Sequence, residues 1–295
     1  MTATAEPDGP DGPLSWGRRF LMCPPQHFGV LYEINPWMHR EVTVQHELAL
    51  TQWQNLVDTL RAAGADVTVM EPGPDVPDLV FTANAGVVNG GQFVPSHFRH
   101  AERQPETPLN AAWFADHGWT VDWLPDELGH EGAGDALPFT DEAGHTVLLS
   151  GYSFRSDATA ATELSRLVGC PVWPLQLTDP RLYHLDLTFC PLDGRRAIVA
   201  PSGWDTYGRK VVESLVPEPL VLDDDEALSF CANSVVVGTT VVMPRTPTRV
   251  GRALERWGFD VVECAVDEFL KAGGGCRCLT LALDVSLSPT APAFP

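Results

Sequence analysis

The chain has 295 residues, 44 % of them hydrophobic, enough to bury a sizeable core as one large domain or two modest ones. A formal net charge of −20 repels phosphate backbones and anionic lipid, so nucleic acid is not an expected partner and a small cation is. No run of about 18 apolar residues occurs, and residues 1–15 have neither a basic n-region nor an apolar h-region, so no membrane span and no leader are expected.

Turn formers crowd Glu6 to Pro13 and Ser286 to Pro295, so flexible tails are expected at 1–15 and 286–295 around one folded unit at 16–285. Along that unit one order of elements returns. A helical period at 44–63 leads to a strand at 66–70, a short segment at 79–84 and a hairpin at 86–94. The second pass has a helix at 110–117, a strand at 120–124, a segment at 131–135 and a hairpin turning at 141–144. The third has a helix at 158–168, a strand at 171–175, a segment at 184–188 and a hairpin turning at 193–194. In the fourth a helix at 205–215 precedes a strand at 219–222, a segment at 231–233 and a hairpin over 235–243. The fifth runs from a helix at 248–257 through a strand at 260–263 and the loop at 273–278 to a strand at 279–285 that lacks a local partner. Residues 19–23 supply that partner if the two chain ends pair, which closes a ring and removes exposed sheet edges.

A repeat near fifty residues puts equivalent positions at equivalent radii of such a ring. Asn84, Asp135, Asp186, Asn233 and Cys278 share one phase, at spacings of 51, 51, 47 and 45 residues, so a polar site is expected where they converge. Asn, Asp and Gly at such positions commonly do no more than make turns; the shared phase of all five argues for more.

Cys278 follows three glycines that let backbone approach a ligand, and Arg277 beside it favours a thiolate, which makes Cys278 the candidate nucleophile. Cys276 is its competitor, since two residues apart on a regular strand they face the same side. His184 heads the third segment in phase with that loop and is the candidate base. Glu131, Asp135 and Asp186 would gather three carboxylates near this pair, an arrangement that suits a cation, and a guanidinium matches carboxylates geometrically. The other eight histidines read as solvated surface, and no metal or cofactor is expected. The triple glycine lacks the Lys and Ser/Thr of a phosphate loop. Seven cysteines, an odd number without a CxxC pair, argue against a disulfide framework and fit a reducing, cytoplasmic setting.

Phe81-Thr-Ala-Asn84, Glu131-Gly-Ala-Gly-Asp135, Gly151-Tyr-Ser-Phe-Arg155, His184-Leu-Asp186 and Gly273-Gly-Gly-Cys-Arg-Cys278 together resemble the guanidino-group modifying superfamily: arginine deiminases, dimethylargininases, arginine dihydrolases and amidinotransferases. The resemblance implies a five-bladed α/β propeller (pentein) of pseudo-five-fold ββαβ repeats around a central active site. It implies that Cys278 attacks the guanidinium carbon, that His184 protonates departing ammonia and then activates water, that Glu131 orients the imidazole and that Asp186 grips the guanidinium. Arg155 and Arg103 match positions that bind the substrate carboxylate, with Arg99 a competitor for the second role. Where deiminases have an aspartate after Phe-Thr-Arg, this chain has Asn84 after Phe-Thr-Ala. An amide satisfies the carbonyl of a ureido group that a carboxylate repels, so Asn84 permits a second hydrolysis. Arginine dihydrolases resemble the chain there and at Glu33-Ile-Asn-Pro-Trp-Met38, where Asn35 is a second candidate pocket amide.

The expected activity is therefore conversion of arginine to ornithine, carbon dioxide and two ammonia. Hydrolysis of methylated arginine or another guanidino compound, deimination, transfer of the amidino group to an amine, and a non-catalytic binding scaffold remain alternatives. The expected partner is a small cationic guanidino compound such as arginine, and a homo-oligomer stays open.

Overall fold

The computed structural model describes residues 14–289. The chain begins with β1 (Arg19–Met22), α1 (His46–Ala62) and β2 (Asp66–Val69), and continues through β3 (Gly86–Asn89), β4 (Gln92–Pro95), α2 (Glu106–Asp116) and β5 (Thr120–Val121). Next come β6 (Ala136–Thr140), β7 (Thr146–Tyr152), α3 (Ala160–Val168), β8 (Val172–Gln176), β9 (Phe189–Pro191), β10 (Arg196–Val199), α4 (Thr206–Leu215) and β11 (Glu218–Val221). The last stretch holds α5 (Asp224–Leu228), β12 (Val235–Val237), β13 (Thr240–Met243), α6 (Thr248–Arg256), β14 (Asp260–Glu263), α7 (Asp267–Leu270) and β15 (Leu281–Ala282).

These strands make five three-stranded sheets of one pattern. In β3-β4-β5 the hairpin pairs antiparallel with Val87 opposite Val94, and after the α2 crossover β5 returns parallel to β4 with Thr120 opposite Gln92. The sheets β6-β7-β8, β9-β10-β11 and β12-β13-β14 repeat that arrangement. The remaining sheet is assembled from both chain ends. β1 pairs antiparallel with β15, Phe20 opposite Ala282, and parallel with β2. The expected joining of residues 19–23 to the last strand is therefore present.

Burial follows position in the sheet. The first strands β3, β6, β9, β12 and β15 are buried nearly throughout, whereas β2 and β14, third in their sheets, are largely exposed. Helices pack through one stripe: α1 buries Ala49, Trp53, Leu56, Val57 and Leu60 at helical spacing. Between α2 and β4 the rings of Phe114 and Phe93 stack 3.6 Å apart. Full burial of such a side chain contributes about 1.5–3 kcal/mol. Among the described residues no helix is long and apolar enough to cross a membrane.

Two expectations are corrected, the strand at 279–285 and the start of the second helix. The strand after each helix pairs with the preceding hairpin, which is the expected ββαβ repeat. The segments at 79–84 and 184–188 are 3₁₀ turns (Pro77–Val80, Thr82–Ala85 and Leu185–Leu187). Only Leu281–Ala282 of residues 279–285 is strand, so Cys278 sits in a turn. Helix α2 starts at Glu106, four residues before the expected 110, since Pro108 falls in the first turn, where a missing N–H breaks no helical bond. Of the expected tails, residues 1–13 and 290–295 lie outside the described residues, while Leu287 is held by a bond from its N–H to Asn89 Oδ1 of 2.9 Å.

Candidate active site

The turns that precede the five first strands meet and bind one another through the residues of shared phase. Asn84 Nδ2 donates to the Glu131 carbonyl at 3.1 Å. The Leu185 N–H donates to Asp135 Oδ1 at 3.1 Å, and Asn233 Nδ2 to the Asp186 carbonyl at 3.1 Å. Asn233 Oδ1 accepts from the N–H groups of Arg277 and Cys278, and the Ala83 N–H donates to the Cys278 carbonyl at 3.1 Å, which joins the fifth turn to the first. Short side chains of both polarities suit this work, because each satisfies backbone that a tight turn leaves unpaired.

One face of this hub borders a cavity of about 10 Å³ lined by Cys278, Asn84, Asp78, Arg103, Arg155 and Tyr183, with Ile34, Asn35 and Met38 from the loop after β1. That is room for about one water. Gly273, at φ +80°, and Gly274, whose added β-carbon would lie 2.2 Å from the Phe81 ring, bring the Cys278 loop against this wall.

Cys278 Sγ donates to Asp186 Oδ2 at 3.3 Å and accepts from Asn233 Nδ2 at 3.2 Å. Burial pushes the thiol well above its ordinary value, and the Asp186 carboxylate pushes it further. Burial also lifts Asp186 to about 7, with the Cys278 thiol and Arg277 opposing. Asp186 Oδ1 has no hydrogen-bond partner among the described residues. Cys276 faces elsewhere: it is fully buried in the core and its thiol donates to the Cys264 carbonyl at 3.7 Å. The turn breaks the strand alternation on which it competed with Cys278.

His184 Nε2 lies 2.9 Å from Glu131 Oε2, and Arg155 Nη1 donates to the same oxygen at 2.8 Å. Burial works to raise Glu131, but Arg155 and the His184 hydrogen bond outweigh it and hold the carboxyl well below the usual range. Burial lowers His184 to about 4 against the pull of Glu131, so the resting imidazole is neutral. A carboxylate only accepts, so Nε2 carries the proton and Nδ1 is the basic nitrogen. Cys278 and His184 share the hub, but the hydrogen bonds of Sγ go to Asp186 and Asn233.

Both expected arginines line the cavity. Arg103 makes a two-point pair with Glu106, at 2.8 Å for each bond, and reaches Asn84 Oδ1 and the Asp78 carbonyl. Arg155 holds Glu131 and the Ile34 carbonyl over the Tyr183 ring. These bonds leave three of the five guanidinium N–H of Arg155 unused and one of Arg103. Arg99 turns outward to Asp157. Asn35 lines the cavity, donating to the Ala272 carbonyl at 3.0 Å and accepting from the Trp37 N–H at 2.9 Å, with one amide N–H left over. Asp135 does not line the cavity: Ser156 Oγ and the Leu185 N–H take its two oxygens, so it braces the turns.

Asp78 and Tyr183 are the cavity residues that sequence reasoning passed over. Asp78 is 1 % exposed, and burial raises its carboxyl while Arg103 and the neighbouring Tyr32 hydroxyl pull it down. An acid set directly before the apolar run Leu79-Val80-Phe81 was the available signal. Tyr183 donates its hydroxyl to the Gly273 carbonyl at 2.8 Å, tying the His184 segment to the Cys278 loop.

A buried thiol, a carboxylate-oriented imidazole and acids beside arginines, on five like sheets, match what the resemblance to the guanidino-group modifying superfamily implies. The chain belongs to the dimethylarginine dimethylaminohydrolase family: residues 33–285 match its model, described as N,N dimethylarginine dimethylhydrolase, eukaryotic. It is 40 % identical over 274 residues to the bifunctional arginine dihydrolase/ornithine cyclodeaminase ArgZ of Synechocystis sp., a match covering 92 % of this chain. The chain spans only 38 % of that relative's length. It is 35 % identical over 268 residues to the N(G),N(G)-dimethylarginine dimethylaminohydrolase of Mycobacterium tuberculosis, covering 90 % of this chain and 86 % of that one. The crystal structure of the N-terminal domain of ArgZ bound to substrate superposes with a TM-score of 0.86 at 39 % identity, covering 92 % of this chain and 99 % of that one.

Proposed function

We propose that the five sheets are the blades of a closed propeller, that residues 16–285 form its catalytic unit, and that this unit hydrolyses arginine twice, to ornithine, carbon dioxide and two ammonia. The observation that carries the reading is Asn84, an amide beside Cys278 in the cavity of a chain 40 % identical to an arginine dihydrolase. Asn84 Nδ2 uses one hydrogen on the Glu131 carbonyl, which leaves the second for a ureido oxygen.

The other groups fit an amino acid with a guanidino end. Arg155, with its spare donors, and Arg103 bind the carboxylate, while the Asp78 carboxylate takes the ammonium. The guanidinium lies against Asp186, whose free Oδ1 accepts its N–H. Its charge offsets the burial that keeps Cys278 protonated, so as substrate enters the thiol proton passes to His184 Nδ1 and the thiolate forms. Sγ adds to the guanidinium carbon, ammonia leaves with a proton supplied from His184, and a thiouronium remains on Cys278. Water, deprotonated at His184 Nδ1, adds to that carbon and releases citrulline and free thiol. A second addition, with the ureido oxygen held by Asn84, expels another ammonia; water then releases carbamate, which breaks down to carbon dioxide and the ornithine amine.

The test is stoichiometric. Incubation with arginine should yield two ammonia per ornithine, and citrulline accumulating alone would overturn double hydrolysis. Hydrolysis of dimethylated arginine is the second reading, favoured by the 35 % identity to the Mycobacterium tuberculosis enzyme. Turnover of dimethylarginine faster than arginine would select it.

A further inference from the structure

Two further small cavities, each of about 10 Å³, lie among the buried first strands of the sheets, and Arg277 lines both. Their walls come from all five sheets, through Val87 of β3, Ala136 of β6, Phe189 of β9, Val236 of β12 and Leu281 of β15. Arg277 is the one charged side chain lining either, among the described residues. Its side chain is 5 % exposed, and its guanidinium makes no hydrogen bond or ion pair among the described residues. Nε is buried and unpaired, and the flat face rests on the Trp16 ring, 5.1 Å from its centroid. The charges of Asp186 and Asp284 act on it only from beyond bonding distance.

An arginine cannot shed its proton, and a buried charge without a partner is strongly unfavourable, so this guanidinium calls for a counter-charge. We propose that Arg277 binds a single-atom monovalent anion, chloride, where its guanidinium faces these cavities. Size selects the halide: each cavity takes about one water-sized body, too little for an oxyanion such as phosphate or bicarbonate. Low polarity in the walls strengthens the pairing.

The site reports to the nucleophile. Arg277 and Cys278 are adjacent, and their N–H groups share Asn233 Oδ1 at 3.1 and 3.2 Å. An anion on Arg277 cancels charge that favours a thiolate one residue away, so chloride makes Cys278 less reactive. This inference stands on the cavities and Arg277, apart from the reaction proposed above.

Crystals of the wild-type chain soaked in sodium bromide test it by anomalous diffraction. A bromide peak within hydrogen-bond reach of Arg277, absent in Arg277→Gln, is expected. Bromide at surface sites with none at Arg277, or a peak that survives the substitution, overturns it. If the variant does not fold, the wild-type map decides alone. In solution, iodoacetamide should label Cys278, read by peptide mass mapping, severalfold more slowly in sodium chloride than in sodium gluconate of equal ionic strength. Equal rates would overturn the link to the nucleophile.

Discussion

Cys276 and Cys278 stand two residues apart and meet opposite surroundings. One thiol is spent on the Cys264 carbonyl inside the core; the other lines the cavity between Asp186 and Asn233. Cys278→Ala should abolish ornithine release from arginine while leaving circular dichroism unchanged, and Cys276→Ala should retain most turnover. Equal loss from both would refute the choice of nucleophile. At His184 the pH dependence has a definite sign. Its value of about 4 in the folded chain lies below the ordinary 6.5, so the stability that this neutral imidazole contributes is complete above 6.5. It is lost as pH falls toward 4, because the unfolded chain takes up the proton first, and the shift corresponds to roughly 3 kcal/mol. Urea denaturation at pH 7 and pH 5 should therefore show a loss in the wild type that is smaller in His184→Gln. An equal loss in both would mean that the ring titrates normally.

The loop after β1 shows how far sequence reaches at the level of elements. Its motif marked Asn35 as a pocket amide, and Asn35 does line the cavity, but its hydrogen bonds hold the loop to Ala272 and Trp37. Trp37 Nε1 adds a bond to the Arg181 carbonyl at 2.8 Å, so the loop is fastened at both sides over a space that takes about one water. Arginine enters only if this cover moves. Asn35→Ala should weaken the fastening by about 1 kcal/mol and change KM for arginine more than kcat. A fall in kcat alone would instead place the amide at the reacting group. Helices and hairpins were legible because periodicity and turn chemistry are local, and four of the five helices were expected to within about two residues of their bounds. The short helices α5 and α7 and the bent segments at 79–84 and 184–188 were not legible, because single turns carry no period. Asp78 was missed because its role depends on Arg103, twenty-five residues away in sequence.

At the scale of the whole molecule, the sheet made from both chain ends decides how stability is shared. The spacing of the hub residues was readable in sequence because each recurs with its unit; the bonds among them were not, since each crosses between units. Asp284, just past β15, accepts from the N–H groups of Gly17 at 3.0 Å and Arg18 at 2.8 Å, and so fastens the entry of β1 to the exit of β15. Cys278 lies three residues before β15, and its carbonyl holds the Ala83 N–H, so slack in this sheet reaches the nucleophile and the Asn84 turn together. Two charge-assisted bonds to backbone, partly exposed to water, are together worth about 1–3 kcal/mol. Asp284→Ala should lower the urea midpoint accordingly at an unchanged slope, with loss of activity following loss of folded protein. Hydrogen exchange tests the closure itself, since amides of β1 and of residues 82–84 should lose protection together in the variant. If β1 frays while residues 82–84 keep wild-type protection, the end-to-end sheet is a local clasp and the five sheets do not act as one cooperative unit.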